Sequence, residues 1–192
     1  PPIPGIDLPH VVQAWDVLEK RVAVGNRVAV IGGNAVGVET ALFLAEKGSM
    51  PADVVKFLLV NQAEDPETLF KMAVAGNTRI FVFEMMDKIG KDIGKSTKWG
   101  MLQDLGRCGI ETMTSATVTG ISDTGVTFDR GGEKSESLAV DTVVVAAGSV
   151  SHNPLEDLVR SMGIACETAG DAARVGTAFD AVHQGFAAAN RI

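Results

Sequence analysis

The run Arg27-Val-Ala-Val-Ile31, followed at once by Gly32-Gly33-Asn34-Ala35-Val36-Gly37, constrains this chain more than any other feature. A short apolar run rich in β-branched residues and bounded by glycine reads as a strand buried on both faces of a parallel sheet. Beyond the turn, Val38, Ala41, Leu42 and Ala45 recur at helical spacing over Val36–Lys47, and Gly48 fits the position after a helix end. Strand, glycine turn and helix in direct succession are the opening unit of a doubly wound α/β domain.

Such a turn presents backbone N–H donors and the positive end of a helix dipole to an anion, here the pyrophosphate of a dinucleotide. Gly32 takes the place where φ must be positive, and Gly37 the place where helix meets strand. The middle place holds Asn34, a residue that tolerates left-handed backbone but whose side chain is expected to occupy space near the pyrophosphate. The strand before and the helix after support nucleotide binding, against a turn that holds no ligand. Glu84 closes the next apolar run, Arg79–Phe83. A carboxylate there accepts both ribose hydroxyls and repels a 2′-phosphate, which favours NADH over NADPH; Lys88 leaves NADPH as the second choice. Otherwise Glu84 is a solvent-exposed strand-end carboxylate. It lies 47 residues after Gly37, against about 20 in the usual arrangement. Two expected helices, Pro51–Val60 and Pro66–Ala75, account for the excess as an insertion over 51–76, with Asp65 as N-cap and Pro66 in the first turn.

Pro1–Leu8 reads as an extended linker and Val11–Arg21 as a short helix. Ser96 or Thr97 is expected to cap a helix reaching about Cys108, with Trp99, Leu102 and Leu105 on one face. Ile110–Met113 is a third strand. Ala116–Ile121, Gly125–Asp129 and Glu136–Ala139 form a β-meander, with turns at Asp123-Thr124-Gly125 and Arg130-Gly131-Gly132. Val143–Ala146 is a further buried strand, and Pro154–Met162 and Val175–Ile192 are helical. The expected fold is α/β: a Rossmann-type parallel sheet with helices on both faces and a three-stranded β-meander crossover. Its organisation reads as a linker and short helix over 1–24, a nucleotide domain over 25–150 and a return segment over 151–192.

Other chemistries find little support. A net charge of −7 argues against nucleic acid as partner. Lys88, Lys91, Lys95 and Lys98 are offset by Asp87 and Asp92 and read as a solvated helix face, or as neighbours of a cofactor phosphate. Cys108 and Cys166 form no CxxC and read as small buried side chains in a reducing, cytoplasmic protein. No apolar run approaches the ~20 residues of a membrane span. His10, His152 and His183 are isolated, Ser149 and Ser151 lie in no nucleophile elbow, and no catalytic residue or metal site is expected. The chain opens on Pro1-Pro2 without an initiator Met, as a piece of a longer protein would.

The runs GNRVAVIGGNAVGVETALFLAEKG, IFVFEMMDKIGKDIG, GKSTKWGMLQDLGRCGIE and VDTVVVAAG together resemble the C-terminal half of the 2,4-dienoyl-CoA reductase / 2-enoate reductase / NADH oxidase family, multidomain relatives of old yellow enzyme. The resemblance covers essentially the whole chain. It implies an NAD(P)H domain inserted into an FAD domain, with FMN and a 4Fe-4S cluster in domains absent from this chain. Hydride would pass from NADH to FAD, and electrons onward to an enoate or enoyl-CoA double bond. By the same resemblance, Gly32, Gly33, Asn34, Ala35, Val36 and Gly37 are the phosphate turn, Glu39 is the acidic residue after its last glycine, and Glu84 is the ribose ligand. Ala147-Gly148 is the crossing between nucleotide domains, and Gly170-Asp171 the FAD-binding Gly-Asp. The FAD domain's own glycine fingerprint, the cluster cysteines and the barrel's catalytic acid are missing, so the chain alone is expected to be inactive. A pyridine-nucleotide disulfide reductase and a non-catalytic binding module are the alternative readings.

Overall fold

In strand β2 (Arg27–Ile31) and strand β3 (Arg79–Phe83), alternate side chains are buried on opposite faces, and that alternation organises the molecule. The computed structural model describes residues 1–131 and 135–191. Its contacts divide the chain into two units, Pro1–Ala147 and Gly148–Ile192.

In the first unit, β1 (Val11–Gln13), β2, β3, β4 (Glu111–Met113) and β8 (Thr142–Val145) form a five-stranded, all-parallel sheet in the order β1-β8-β2-β3-β4. Parallel strands need crossovers, supplied by α2 (Ala35–Glu46) and α5 (Lys95–Arg107) and by the antiparallel meander β5 (Ala116–Ser122), β6 (Gly125–Arg130) and β7 (Glu136–Ala139). Val28, Val30, Ile80, Val82 and Val144 point to the helical face, packing on Val38, Ala41 and Leu44 of α2 and Leu105 of α5. Ala29, Ile31, Phe81, Phe83 and Val143 point to the other face, where Ala116, Val118, Val126 and Phe128 of the meander cover them. Phe83 and Phe128 meet edge to face at 4.9 Å. The Rossmann-type α/β class is therefore as read, and within this unit the meander supplies the second layer.

The helical pair α3 (Ala52–Val60) and α4 (Pro66–Val74) stands between α2 and β3, with Asp65 accepting from the N–H groups of Glu67 and Thr68 as the N-cap signal implies. Four local expectations are corrected. Val11–Gln13 is a parallel edge strand, and only α1 (Ala14–Leu18) is helical, because pairing with β8 outweighs the local apolar spacing. Neither Ser96 nor Thr97 caps α5; Gly94 stands at that position without a side chain to offer. On α5 Leu105 is buried, but Trp99 is 69 % exposed and Leu102 lies on the open side. Pro1–Leu8 is folded back into turns, with the Pro4 carbonyl accepting from Ile121 N–H, so it packs on the meander instead of running free. His10 likewise is half-buried, its carbonyl accepting from Val143. The expected turn at Arg130-Gly131-Gly132 includes Gly132, and the expected last helix Ile192; both residues lie outside the described ones.

The second unit carries α6 (Glu156–Ser161), a 3₁₀ turn at Gly170–Ala172 and α7 (Ala178–Ala189). Glu156 accepts from Asn153, Arg160 and Thr168, tying the start of α6 to the segment after it. Thr177 and Asp180 close a reciprocal capping box on α7.

Candidate functional site

Gly32 sits where β2 ends, between the ends of its two neighbours. Its N–H donates to Phe83 O of β3 at 2.9 Å, and a Cβ on it would lie 2.5 Å from Ala146 O beyond β8. Its φ of +107° adds a second reason for glycine. Gly37 is set by the close approach of α2 to the turn: a Cβ there would stand 1.8 Å from the carbonyl oxygen of Gly32. Both glycines thus do what the motif requires of the first and third places. Gly33 is equally tight, since a Cβ would meet Ile89 Cδ1 at 2.5 Å and Glu84 Cβ at 2.9 Å.

Asn34 differs from expectation in two ways. Its backbone is extended (φ −92°, ψ −165°), not left-handed, so the position does not call for a left-handed residue. Its side chain also turns sideways: Nδ2 donates to Asp92 Oδ2 at 2.7 Å, and Oδ1 accepts from Asp92 N–H at 3.1 Å. Among the described residues, no side chain caps the N-terminus of α2, where Ala35 and Val36 begin the helix.

Glu84 follows β3 directly. Its N–H donates to Met113 O and its carbonyl accepts from Ala116 N–H, so the backbone is pinned on both sides. The carboxylate is oriented by two backbone donors, Gly33 N–H on Oε2 at 2.9 Å and Met86 N–H on Oε1 at 2.8 Å. Each oxygen keeps acceptor capacity for a further donor. The loop after Glu84 is held down by the buried side chains of Ile89 and Ile93 and by Gly90 N–H donating to Gly33 O at 2.7 Å. Lys88 and Lys91 stand exposed on this loop, ahead of α5.

The structure therefore gathers Gly32–Gly37, Glu84 and Ala147 at the carboxyl ends of the parallel strands; Ala147 Cα lies 3.2 Å from where a Gly32 Cβ would be. In open α/β sheets this is the edge where ligands bind. The cradle that side chains would fill, the uncapped helix end and the oriented carboxylate fit a dinucleotide. Glu39 is exposed on α2. Gly148 (φ +95°), Gly170 (φ +65°) and Asp171 belong to the second unit. There Gly170 N–H donates to Gln184 Oε1 and Asp171 Oδ1 accepts from Gly176 N–H. Sequence reasoning missed Ile89, Gly90 and Asp92 as parts of the turn's surroundings; the spacing Ile89-Gly90-x-x-Ile93 was the available signal for an anchored loop. Cys108 donates to Val74 O, and burial pushes its thiol pKa up, which suits an inert packing role. Among the described residues, no cluster of His, Cys, Asp and Glu could hold a metal ion, and no helix is long and apolar enough to cross a membrane.

Residues 1–175 match the family model described as pyridine nucleotide-disulphide oxidoreductase. The chain is 40% identical over 97% of its length to a protein named metal reductase from Desulforamulus reducens, covering 28% of that protein. It is 32% identical over 95% of its length to an NADH oxidase from Thermoanaerobacter brockii, covering 24% of it. Among solved structures, a 2-naphthoyl-CoA reductase aligns over the whole chain and 25% of its own, with a TM-score of 0.77 and 26% identity. The chain thus spans about a quarter of the length of these relatives.

Proposed function

The chain belongs to the pyridine nucleotide-disulphide oxidoreductase family, and from that premise we propose that it is the nicotinamide-cofactor domain of a longer flavin-dependent oxidoreductase. The observation that carries this reading is the cradle formed by Gly32, Gly33 and Gly37 beside the Glu84 carboxylate. The N–H groups at the start of α2, at Ala35, Val36 and Gly37, receive the pyrophosphate, and Asn34 lies turned aside from it. Glu84 takes the two ribose hydroxyls and disfavours a 2′-phosphate, so NADH is the preferred cofactor over NADPH. Ala147 lies beside the turn, Glu39 faces outward from α2, and in the second unit Gly148 begins the crossing toward the FAD domain and Gly170 with Asp171 serves FAD.

The bound cofactor supplies hydride for FAD. This chain's part is binding and orientation, for which no acid or base within it is needed. The longer protein would hold FMN and a 4Fe-4S cluster in domains outside this chain, and these would supply electron transfer to an enoate or enoyl-CoA double bond. The 40% identical relative named metal reductase favours a second reading of that last step, in which a metal ion is the acceptor. Reduction of crotonyl-CoA against reduction of ferric citrate by the longer protein separates the two. Calorimetric titration of the 192-residue chain with NADH and NADPH tests the cofactor assignment. Binding of neither removes it and leaves a non-catalytic binding module; tighter NADPH binding removes the role given to Glu84.

A further inference from the structure

Asn34 has the backbone of a helix-capping residue without acting as one. Its φ and ψ lie in the extended region that N-caps adopt, it directly precedes α2, and asparagine is among the strongest N-cap residues. A side chain in that position normally accepts from the N–H of the second or third helical residue, here Val36 or Gly37. Those are the donors a pyrophosphate needs. In the structure both ends of the Asn34 amide are engaged elsewhere: Nδ2 donates to Asp92 Oδ2 and Oδ1 accepts from Asp92 N–H. Asp92 is itself held by its loop, through Ile89 and Ile93 in the core and Gly90 N–H on Gly33 O.

We infer that Asp92 is a positioning residue that keeps Asn34 from capping its own helix, so that the N-terminus of α2 stays open to a dinucleotide phosphate. The inference rests on the nucleotide-binding reading above and goes beyond it by giving a role to a residue 58 positions from Asn34, in the loop after β3. It also explains how asparagine substitutes for glycine at the middle of the turn: the glycine is dispensable where a partner draws the side chain aside. Without the Asp92 carboxylate, only the Asp92 backbone N–H at 3.1 Å still holds Oδ1; the shorter bond at Nδ2 is gone, and the Asn34 amide rotates onto Val36 or Gly37 N–H and competes with the ligand. The Asp92 carboxylate does this by accepting a hydrogen bond, not by its charge, so an amide can replace it.

The test uses the 192-residue chain and NADH as probe. Asp92→Ala is expected to bind NADH about fivefold more weakly, the scale of one N-cap interaction. Asp92→Asn, which retains an acceptor oxygen, is expected to bind at least as tightly as the unchanged chain. The decisive variant is Asn34→Gly combined with Asp92→Ala: with no side chain left to cap, NADH binding is expected to return to the level of the unchanged chain. A merely structural contact would leave the double variant as weak as Asp92→Ala or weaker. Amide hydrogen exchange without nucleotide gives a second readout, in which Val36 or Gly37 N–H becomes more protected in Asp92→Ala. Unchanged exchange there overturns the inference whatever NADH does. Failure of the unchanged chain to bind NADH, with that protection present, overturns the nucleotide reading instead and leaves the self-capping mechanism standing.

Discussion

Replacing Gly37 by alanine tests the turn at its tightest contact. A Cβ at this position would sit 1.8 Å from Gly32 O, whereas real Cβ atoms essentially never come within 3.0 Å of a heavy atom. The obstacle is a backbone carbonyl at a strand end, so no side chain can yield. The first turn of α2 must therefore retreat by about 1.2 Å from β2, the difference between those two separations. That movement drags Val38 and Ala41, both fully buried, away from Val28 and Val30. Forced overpacking of this kind costs ~1–3 kcal/mol, offset in part by the gain of roughly 1 kcal/mol in helix propensity from glycine to alanine. A net loss of up to about 2 kcal/mol follows, read as a lower urea midpoint at unchanged slope. Gly106→Ala is the control: it lies within α5 with nothing within 4 Å of the added methyl, and should raise stability by about 0.5–1 kcal/mol. The same retreat displaces the N–H donors at the turn, so Gly37→Ala should also lose tenfold or more in NADH affinity. A Gly37→Ala midpoint at or above that of the unchanged chain would refute the reasoning.

Glu84→Ala should weaken NADH binding by roughly 1–3 kcal/mol, about 5–150-fold, while NADPH loses less because a repelling carboxylate has gone; equal losses for both cofactors would contradict the ribose role. The second unit should weaken in acid. Hydrogen bonds from Thr168, Arg160 and Asn153 hold the Glu156 carboxyl below its usual range, and Thr177 does the same for Asp180. Groups with lowered native pKa values contribute stability that is complete above their unfolded values and lost as pH falls through the native ones. Protection factors of α7 amides should therefore fall below about pH 4.5, the ordinary value for glutamate, and Glu156→Gln should flatten that dependence; a flat protection profile in the unchanged chain would count against it.

Those elements whose signal is local and strong were legible in the sequence. β3 runs from Arg79 to Phe83 as read, and β2, α2 and the meander strands agree within a residue or two, because buried β-branched runs and glycine turns leave few alternatives. Val11–Gln13 was misread because apolar residues at an edge strand and in a short helix look alike, and only the distant partner β8 decides. Trp99 and Leu102 were assigned inward from spacing alone, yet only Leu105 on that face meets the core of this chain. The positions of Gly32 and Gly37 at the turn and of Glu84 after β3 were readable, the glycines because backbone geometry dictates them and Glu84 because it ends a buried apolar run. The Asn34–Asp92 pair was not, because its members are 58 positions apart. No rule of local spacing links a helix-capping position to a loop beyond the next strand.

The most direct test of the account is to follow the backbone amide resonances of the ¹⁵N-labelled chain as NADH is added. Saturable shifts are expected, concentrated at Gly32–Gly37 and at Glu84–Met86, with α3 and α4 unmoved. Shifts that avoid the glycine turn, or none at saturating NADH, would contradict it.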